Sequence, residues 1–235
     1  MLCQQLFEIN RASQTGLIYL RSMRADLPKH KGLRKRLVEE LKEMGIQDQR
    51  VLDAFMEVPR HFFLDEIFLK QAYSNQAFQI GAGQTISHPY TVAFQSELLD
   101  VKKGDKILEI GTGSGFQTSI LCEMGAKVYS IERQRELYLK SKVILRDLGY
   151  SPKTFYGDGY AGKETYAPFD KIIVTCGAPY IPEALVDQLK EGGVMIIPVG
   201  QPTQVMKFGV KVNGELVVND AGDFSFVPML KEKAK

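Results

Sequence analysis

The stretch KILEIGTGSGFQTSILCEMGAKVYSIE, residues 106–132, decides the fold. Lys106–Ile110 is apolar enough for a buried strand, and three glycines follow it at every second position. The next segment, from about residue 115 to 124, predicts a helix, and residues 127–131 predict a second strand. Glycines allow a tight turn, and the first N–H groups of a helix carry a partial positive charge. This order therefore predicts a ligand-binding loop at the edge of a sheet.

The residues after 132 repeat the alternation of helix and strand. Such a repeat predicts a doubly wound, mostly parallel sheet, so the fold class is α/β. Near the C-terminus, Asn213-Gly214 separates two strand-like segments, 205–212 and 215–218, and this dipeptide favours a type I′ turn. We therefore expect an antiparallel hairpin at the edge of the sheet. The intervening predicted elements are a helix at 135–148, strands at 154–156 and 170–175, a helix at 182–189 and a strand at 194–199.

The residues before 106 predict helices instead. Apolar residues recur there at three- and four-residue steps, Gly45 is a helix stop signal, and Asp48 is a favourable N-cap. The predicted helices cover residues 33–44, 50–56, 65–72 and 91–99.

These patterns predict a single domain over residues 31–235. Within it we expect a helical cap with an active-site loop at 31–100 and a Rossmann-like core at 101–235. Residues 1–30 are expected to form a loosely ordered extension, with a transit peptide as the alternative because of their scattered arginines.

The composition excludes several classes of protein. The net charge of +2 argues against a dedicated nucleic-acid binder, which would carry a basic stripe. No apolar run approaches the roughly 20 residues of a membrane span, so we expect no membrane association. The three cysteines lie far apart, which predicts neither a disulfide framework nor a metal site. A monomer in the reducing cytoplasm fits these features.

The glycine spacing narrows the ligand of the loop. A dinucleotide fingerprint would read G-x-G-x-x-G, but the position of its last glycine is occupied by Phe116. Gly111, Gly113 and Gly115 are spaced G-x-G-x-G instead. Glu109, just before the loop, suits a ligand with a cationic amine better than a pyrophosphate, which it would repel.

Two further carboxylates follow neighbouring strands. Glu132 ends the next strand, where a carboxylate can accept both hydroxyls of a ribose. Asp158 follows the third strand and can accept from an adenine amine, while Gly159 allows close approach. Each residue alone would be read as a solvated strand end or a turn former. Together, an amine, a ribose and an adenine describe S-adenosylmethionine.

A second glycine-bearing segment, QIGAGQTISHP at residues 79–89, carries a more specific signal. With it, the chain resembles the protein-L-isoaspartate (D-aspartate) O-methyltransferase family over about residues 32–231. Further matches are Val58-Pro59-Arg60, residues 108–115, Gly157-Asp158-Gly159, Phe169-Asp170, Ala178-Pro179, Asp187-Gln188-Leu189, Gly192-Gly193, Pro198-Val199-Gly200 and Val227-Pro228-Met229.

The resemblance implies the class I S-adenosylmethionine-dependent methyltransferase fold and methyl transfer to the free carboxylate of L-isoaspartyl and D-aspartyl residues in damaged proteins. The methyl ester then collapses through a succinimide, which allows return to normal aspartate. It implies that Ser87 is the active-site residue and that Thr85 and Ile86 lie alongside the cofactor. The positions that match the family's cofactor-binding residues are Gly111, Ser114, Glu132, Asp158 and Gly159.

The chain departs from the family pattern at two positions. Asn75 stands where an acid is common, and Phe116 stands where a tyrosine is usual. Neither change touches Thr85, Ser87 or the carboxylates, so they affect local loop contacts and not the reaction class.

The chemistry requires few catalytic groups. A carboxylate with a solution pKa near ~4 is ionised at neutral pH and needs no general base. Ser87 is therefore assigned an orienting hydrogen bond to the acceptor. Adjacent residues of an extended segment point to opposite sides, which argues against a Ser87–His88 nucleophile pair.

Three alternatives remain at this level. A nucleic-acid or amino-group methyltransferase would carry an Asn/Asp-Pro-Pro-aromatic motif after the fourth strand, where residues 175–180 read TCGAPY. The glycine spacing disfavours a nicotinamide-dependent oxidoreductase. A non-catalytic cofactor-binding module is disfavoured by the intact loop around Ser87.

Overall fold

A computed structural model describes residues 25–234, so most of the predicted N-terminal extension lies outside the described residues. The helices are α1 (Pro28–Glu43), α2 (Gln49–Glu57), α3 (Pro89–Leu99), α4 (Phe116–Glu123), α5 (Arg135–Asp147) and α6 (Glu183–Asp187). The strands are β1 (Phe78–Gly81), β2 (Gln84–Ile86), β3 (Lys106–Ile110), β4 (Lys127–Glu132), β5 (Lys153–Tyr156), β6 (Phe169–Val174), β7 (Leu189–Val199), β8 (Gln204–Val212) and β9 (Glu215–Phe224).

The core is a seven-stranded sheet in the order β5-β4-β3-β6-β7-β8-β9. The first five of these strands are parallel, and β8 and β9 run antiparallel at one edge. Helices cover both faces, so alternate residues of β3 enter different apolar clusters: Ile107 lies in one, and Leu108 and Ile110 lie in the other. The doubly wound, mostly parallel sheet is confirmed.

The antiparallel hairpin at the sheet edge is also confirmed. Asn213 and Gly214 both have positive φ, 52° and 84°, as a type I′ turn requires. The Glu191 carboxylate accepts hydrogen bonds from the backbone N–H groups of both turn residues, at 2.5 and 3.2 Å. Strand β9 continues to Phe224, six residues beyond the predicted end at 218.

The N-terminal cap consists of α1, α2 and two 3₁₀ helices, Arg60–Phe63 and Glu66–Gln71. Asp48 caps α2 as predicted, since its side chain accepts from the Arg50 N–H. Helix α1 begins at Pro28 and not at 33, because proline is favourable in a first helical turn. Residues 28–30 therefore belong to the cap and not to the predicted extension.

Strands β1 and β2 form a small antiparallel hairpin that covers residues 78–86. The sequence predicted a loop here and not strands. No helix within residues 25–234 is long and apolar enough to cross a membrane.

Candidate active site

A cleft, here called the cofactor cavity, opens at the carboxyl ends of β3, β4 and β6. The glycine loop, the β1–β2 hairpin with Ser87, and a C-terminal segment (residues 225–234) surround it. Ligands bind at this edge in doubly wound sheets. Eight of the predicted site residues line it: Thr85, Ile86, Ser87, Gly111, Gly113, Ser114, Glu132 and Gly159. Glu109, Gly115 and Asp158 do not line it.

The glycine loop requires glycine for two different reasons. Gly111 has a φ of 97°, and a Cβ there would lie 2.6 Å from Oγ1 of Thr175. This hydroxyl donates a 2.7 Å hydrogen bond to the Gly111 carbonyl, so the loop lies directly against the end of β6. Gly115 has a φ of 92° at the N-cap of α4, and it faces Leu145 and not the cavity. It therefore shapes the turn, and a direct cofactor contact by Gly115 stays a prediction.

Glu132 is buried, with 4% of its surface exposed, and it lines the cavity. Its two carboxylate oxygens accept backbone hydrogen bonds from Gly113 at 2.8 Å and Gln134 at 2.7 Å. Burial raises the pKa of Glu132, although these backbone N–H groups act in the opposite direction. Each oxygen keeps acceptor capacity, so a fixed carboxylate is ready to receive two hydroxyl donors.

Glu109 is fully buried beneath the glycine loop and does not reach the cavity. Its neighbours on β3, Leu108 and Ile110, point to the opposite face of the sheet. The Thr118 hydroxyl of α4 donates a 2.5 Å hydrogen bond to Oε2. Burial raises the pKa of Glu109 to about 7. The geometry places Glu109 as a support of α4, and its predicted contact with the cofactor amine stays a prediction.

Asp158 caps a 3₁₀ helix that begins at Gly159. Its two oxygens accept from the N–H groups of Tyr160 and Glu232, both at 2.9 Å. The predicted hydrogen bond from an adenine amine to Asp158 would therefore have to share an oxygen with the Glu232 N–H or displace it. Gly159 does line the cavity, and a Cβ there would lie 2.4 Å from Cγ2 of Ile110.

A second, smaller cavity adjoins the first and is here called the acceptor cavity. The two share Thr85, Ser87, Thr175 and Val227, so Ser87 stands between them. Hydroxyl groups dominate its lining; the remaining lining residues are Ala77, His88, Thr91, Ser225 and Phe226. Within the described residues no hydrogen bond joins Ser87 to His88, and the orienting role of Ser87 stays a prediction.

Sequence reasoning missed several lining residues. Thr91, Thr175 and Ser225 line the acceptor cavity, and the C-terminal segment contributes residues 227–230 to the cofactor cavity. The only signal was the Val227-Pro228-Met229 match, which carried no role.

The two departures from the family pattern have local explanations. The Asn75 side-chain oxygen accepts a 2.9 Å hydrogen bond from the Tyr90 N–H in the first turn of α3, which an acid could equally do. Phe116 is buried and packs edge-on against Phe55 and Phe63.

Comparison with known proteins identifies the family. The family model described as "Protein-L-isoaspartate(D-aspartate) O-methyltransferase (PCMT)" matches residues 32–234. The chain belongs to this family. A protein-L-isoaspartate O-methyltransferase from Christiangramia forsetii is 55% identical over 210 residues, which cover 88% of this chain and 99% of the relative.

Two solved structures agree with the family. A putative protein-L-isoaspartate O-methyltransferase from Plasmodium falciparum, in complex with S-adenosyl-L-homocysteine, is 30% identical with a TM-score of 0.75 and covers 86% of this chain and 99% of its own. Another protein-L-isoaspartate O-methyltransferase is 30% identical with a TM-score of 0.77; the match covers 83% of this chain and 65% of the other. Membership confirms the resemblance, the methyltransferase fold and the enzyme class. The roles of individual site residues stay predictions.

Proposed function

We propose that this chain transfers the methyl group of S-adenosylmethionine to the free carboxylate of L-isoaspartyl and D-aspartyl residues in damaged proteins and peptides. Family membership supports the reaction class. The observation that carries the proposal is the junction of the two cavities at Ser87. The cofactor cavity there meets a pocket whose lining includes Ser87, Thr91 and Ser225, and hydroxyl groups are donors suited to a carboxylate.

The residues of the cofactor cavity fit S-adenosylmethionine. Glu132 offers a fixed carboxylate for the ribose hydroxyls, and the glycine loop offers close backbone approach at the start of α4. Gly159 forms a wall of the cavity in which any Cβ would collide with Ile110. When bound, the cofactor supplies an electrophilic methyl group on a positively charged sulfonium.

The acceptor side requires orientation and not activation. An isoaspartyl carboxylate is ionised at neutral pH, so no residue has to remove a proton from it. The Ser87 hydroxyl donates to one carboxylate oxygen and turns the other toward the cofactor cavity. Thr175 and Thr85 line both cavities beside Ser87. Positioning of this kind contributes on the order of 7–11 kcal/mol to a two-substrate reaction.

The finer expectations on partners stay predictions: a monomeric, cytoplasmic enzyme that acts on isoaspartyl proteins and binds neither nucleic acid nor membranes. The near-balanced charge of +2 supports the expectation on nucleic acid.

The repair reaction provides the test. An isoaspartyl peptide is incubated with the protein and S-adenosylmethionine, and its conversion to the aspartyl peptide is followed by chromatography. We expect progressive conversion that stops when the cofactor is omitted. If the peptide stays fully isoaspartyl after prolonged incubation with the enzyme and the cofactor, the proposed function is refuted.

A further inference from the structure

Arg60 is a buried cation without an anionic partner. It is 1% exposed and is the largest fully buried side chain among the described residues. No carboxylate within residues 25–234 forms an ion pair with it, and its Nε and Nη1 atoms have no hydrogen-bond partner. Burial lowers its pKa to about 9, so it remains protonated at neutral pH. Because an unpaired buried charge is costly, its retention calls for an explanation.

The guanidinium group holds both ends of the β1–β2 hairpin. Its Nη2 atom donates hydrogen bonds to the carbonyls of Gln76, at 2.9 Å, and Ser87, at 3.0 Å. Gln76 precedes β1 and Ser87 follows β2, so one group fixes the hairpin that carries the active-site serine. On its other side, the guanidinium carbon lies 4.9 Å from the ring centroid of Phe116, which lines the cofactor cavity.

Arg60 lies behind the wall of both cavities and lines neither. Its charge nevertheless acts on the acceptor cavity: burial and the Arg60 charge both lower the pKa of His88, a lining residue. In this desolvated setting the effective dielectric constant is low and a fixed charge acts over several ångströms.

We propose that Arg60 is a positioning residue that supplies the fixed positive charge for the acceptor carboxylate. The inference rests on the proposed function, and Arg60 acts through the Ser87 backbone and through space, without contact with the substrate. The acceptor is an anion before methyl transfer and a neutral ester after it. A fixed cation therefore favours binding of the substrate over binding of the product. The same cation offers nothing to the sulfonium of the cofactor, which is positively charged.

This charge pattern separates an electrostatic role from a merely structural one. If Arg60 only held the hairpin in place, its loss would weaken the binding of the cofactor and of every acceptor together. If Arg60 acts through its charge, its loss weakens the binding of the anionic acceptor only. Cofactor affinity then stays unchanged or becomes higher. Since the carboxylate charge decreases toward the transition state, loss of the charge raises KM and leaves kcat unchanged or higher.

The test compares two peptides that differ only in charge, one with isoaspartate and one with isoasparagine, the neutral amide. Their dissociation constants are measured in the presence of S-adenosylhomocysteine, for the wild type, Arg60→Gln and Arg60→Lys. We expect the wild type to prefer the isoaspartyl peptide at least tenfold, Arg60→Lys to keep most of this preference, and Arg60→Gln to reduce it about tenfold with unchanged cofactor affinity. Arg34→Gln is the matched control, since Arg34 is also buried but is paired with Asp26 at 2.9 Å.

Two results would overturn the inference. One is a wild-type protein that binds both peptides equally, which needs no variant and stands even if Arg60→Gln fails to fold. The other is an Arg60→Gln variant that keeps the wild-type preference, or one that loses affinity for the cofactor as strongly as for the isoaspartyl peptide. In either case a wild type that still methylates the isoaspartyl peptide shows that the proposed function stands and only the role of Arg60 fails.

Discussion

The backbone N–H of Gly113 donates a 2.8 Å hydrogen bond to the Glu132 carboxylate, so the glycine loop and the predicted ribose-binding acid form one unit. The Gln134 N–H holds the other oxygen at 2.7 Å. The carboxylate is thus fixed before any ligand arrives, and its orientation depends on the backbone of the glycine loop and of the residue before α5.

From this relationship we predict that Glu132→Gln weakens S-adenosylmethionine binding about tenfold to hundredfold. The amide replaces one acceptor oxygen by a donor that faces a backbone N–H, and a hydrogen bond to a charged group contributes about 1.5–3 kcal/mol. Isothermal titration calorimetry measures the effect, with the exposed Glu215→Gln as control. Cofactor affinity within twofold of the wild type would contradict this role.

Ser87→Ala tests the division of labour between the two cavities. We expect kcat to fall about tenfold to hundredfold, because the acceptor carboxylate loses one oriented hydrogen bond. Cofactor affinity should stay within about twofold, because the cofactor cavity keeps its loop and its acid. Steady-state kinetics and calorimetry measure both quantities, with the exposed Ser151→Ala as control. A folded variant that no longer binds the cofactor would show that Ser87 belongs to the cofactor site.

The protonation of Glu109 predicts how stability depends on pH. Its pKa is about 7 in the folded protein, against an ordinary value of 4.5, because burial disfavours the charged form. Between these values the folded state binds more protons than the unfolded state, so the contribution of Glu109 to stability is full below pH 4.5 and is lost as the pH rises through about 7.

Glu109→Gln mimics the protonated acid and removes this dependence. We therefore expect its free energy of unfolding, relative to the wild type, to be higher at pH 8 than at pH 5. Urea unfolding at the two pH values measures the difference, and Glu183→Gln on the surface of α6 serves as control. An equal difference at pH 5 and pH 8 would mean that Glu109 does not titrate in this range.

Gly159 and Gly32 form a matched pair of substitutions by alanine. A Cβ at Gly159 would lie 2.4 Å from Ile110, so Gly159→Ala should destabilise the protein by about 1–3 kcal/mol and weaken cofactor binding. A Cβ at Gly32, inside α1, meets nothing within 4 Å, so Gly32→Ala should stabilise it by about 0.5–1 kcal/mol. Thermal unfolding with and without cofactor measures both. The two substitutions must change stability in opposite directions. A Gly159→Ala variant as stable as the wild type would contradict the close packing of Gly159 against Ile110.

The core and the turn at Asn213-Gly214 could be predicted because local patterns determine them. Strand β3, the glycine loop and α4 follow from apolar runs and glycine spacing within residues 106–123. The type I′ turn follows from a dipeptide that accepts positive φ at both positions. Thr85 and Ser87 were identified from the resemblance alone, since strands as short as β1 and β2 leave little periodicity.

Features that depend on contacts between distant residues could not be predicted. Glu109 looked like a ligand contact because the sequence does not show which face of β3 it occupies. The hydrogen bond from the Glu232 N–H to the Asp158 carboxylate joins residues that lie 74 positions apart in the chain. The burial of Arg60 runs against the general exposure of arginine, and only the folded hairpin reveals the carbonyls that hold it.

The most direct test of the central claim is methyl transfer to a matched pair of peptides. The protein is incubated with methyl-labelled S-adenosylmethionine and two peptides that differ only in an aspartyl or an isoaspartyl linkage. We predict base-labile label in the isoaspartyl peptide and none above background in the aspartyl peptide. Absence of label from both peptides, or equal labelling of the two, would contradict the account.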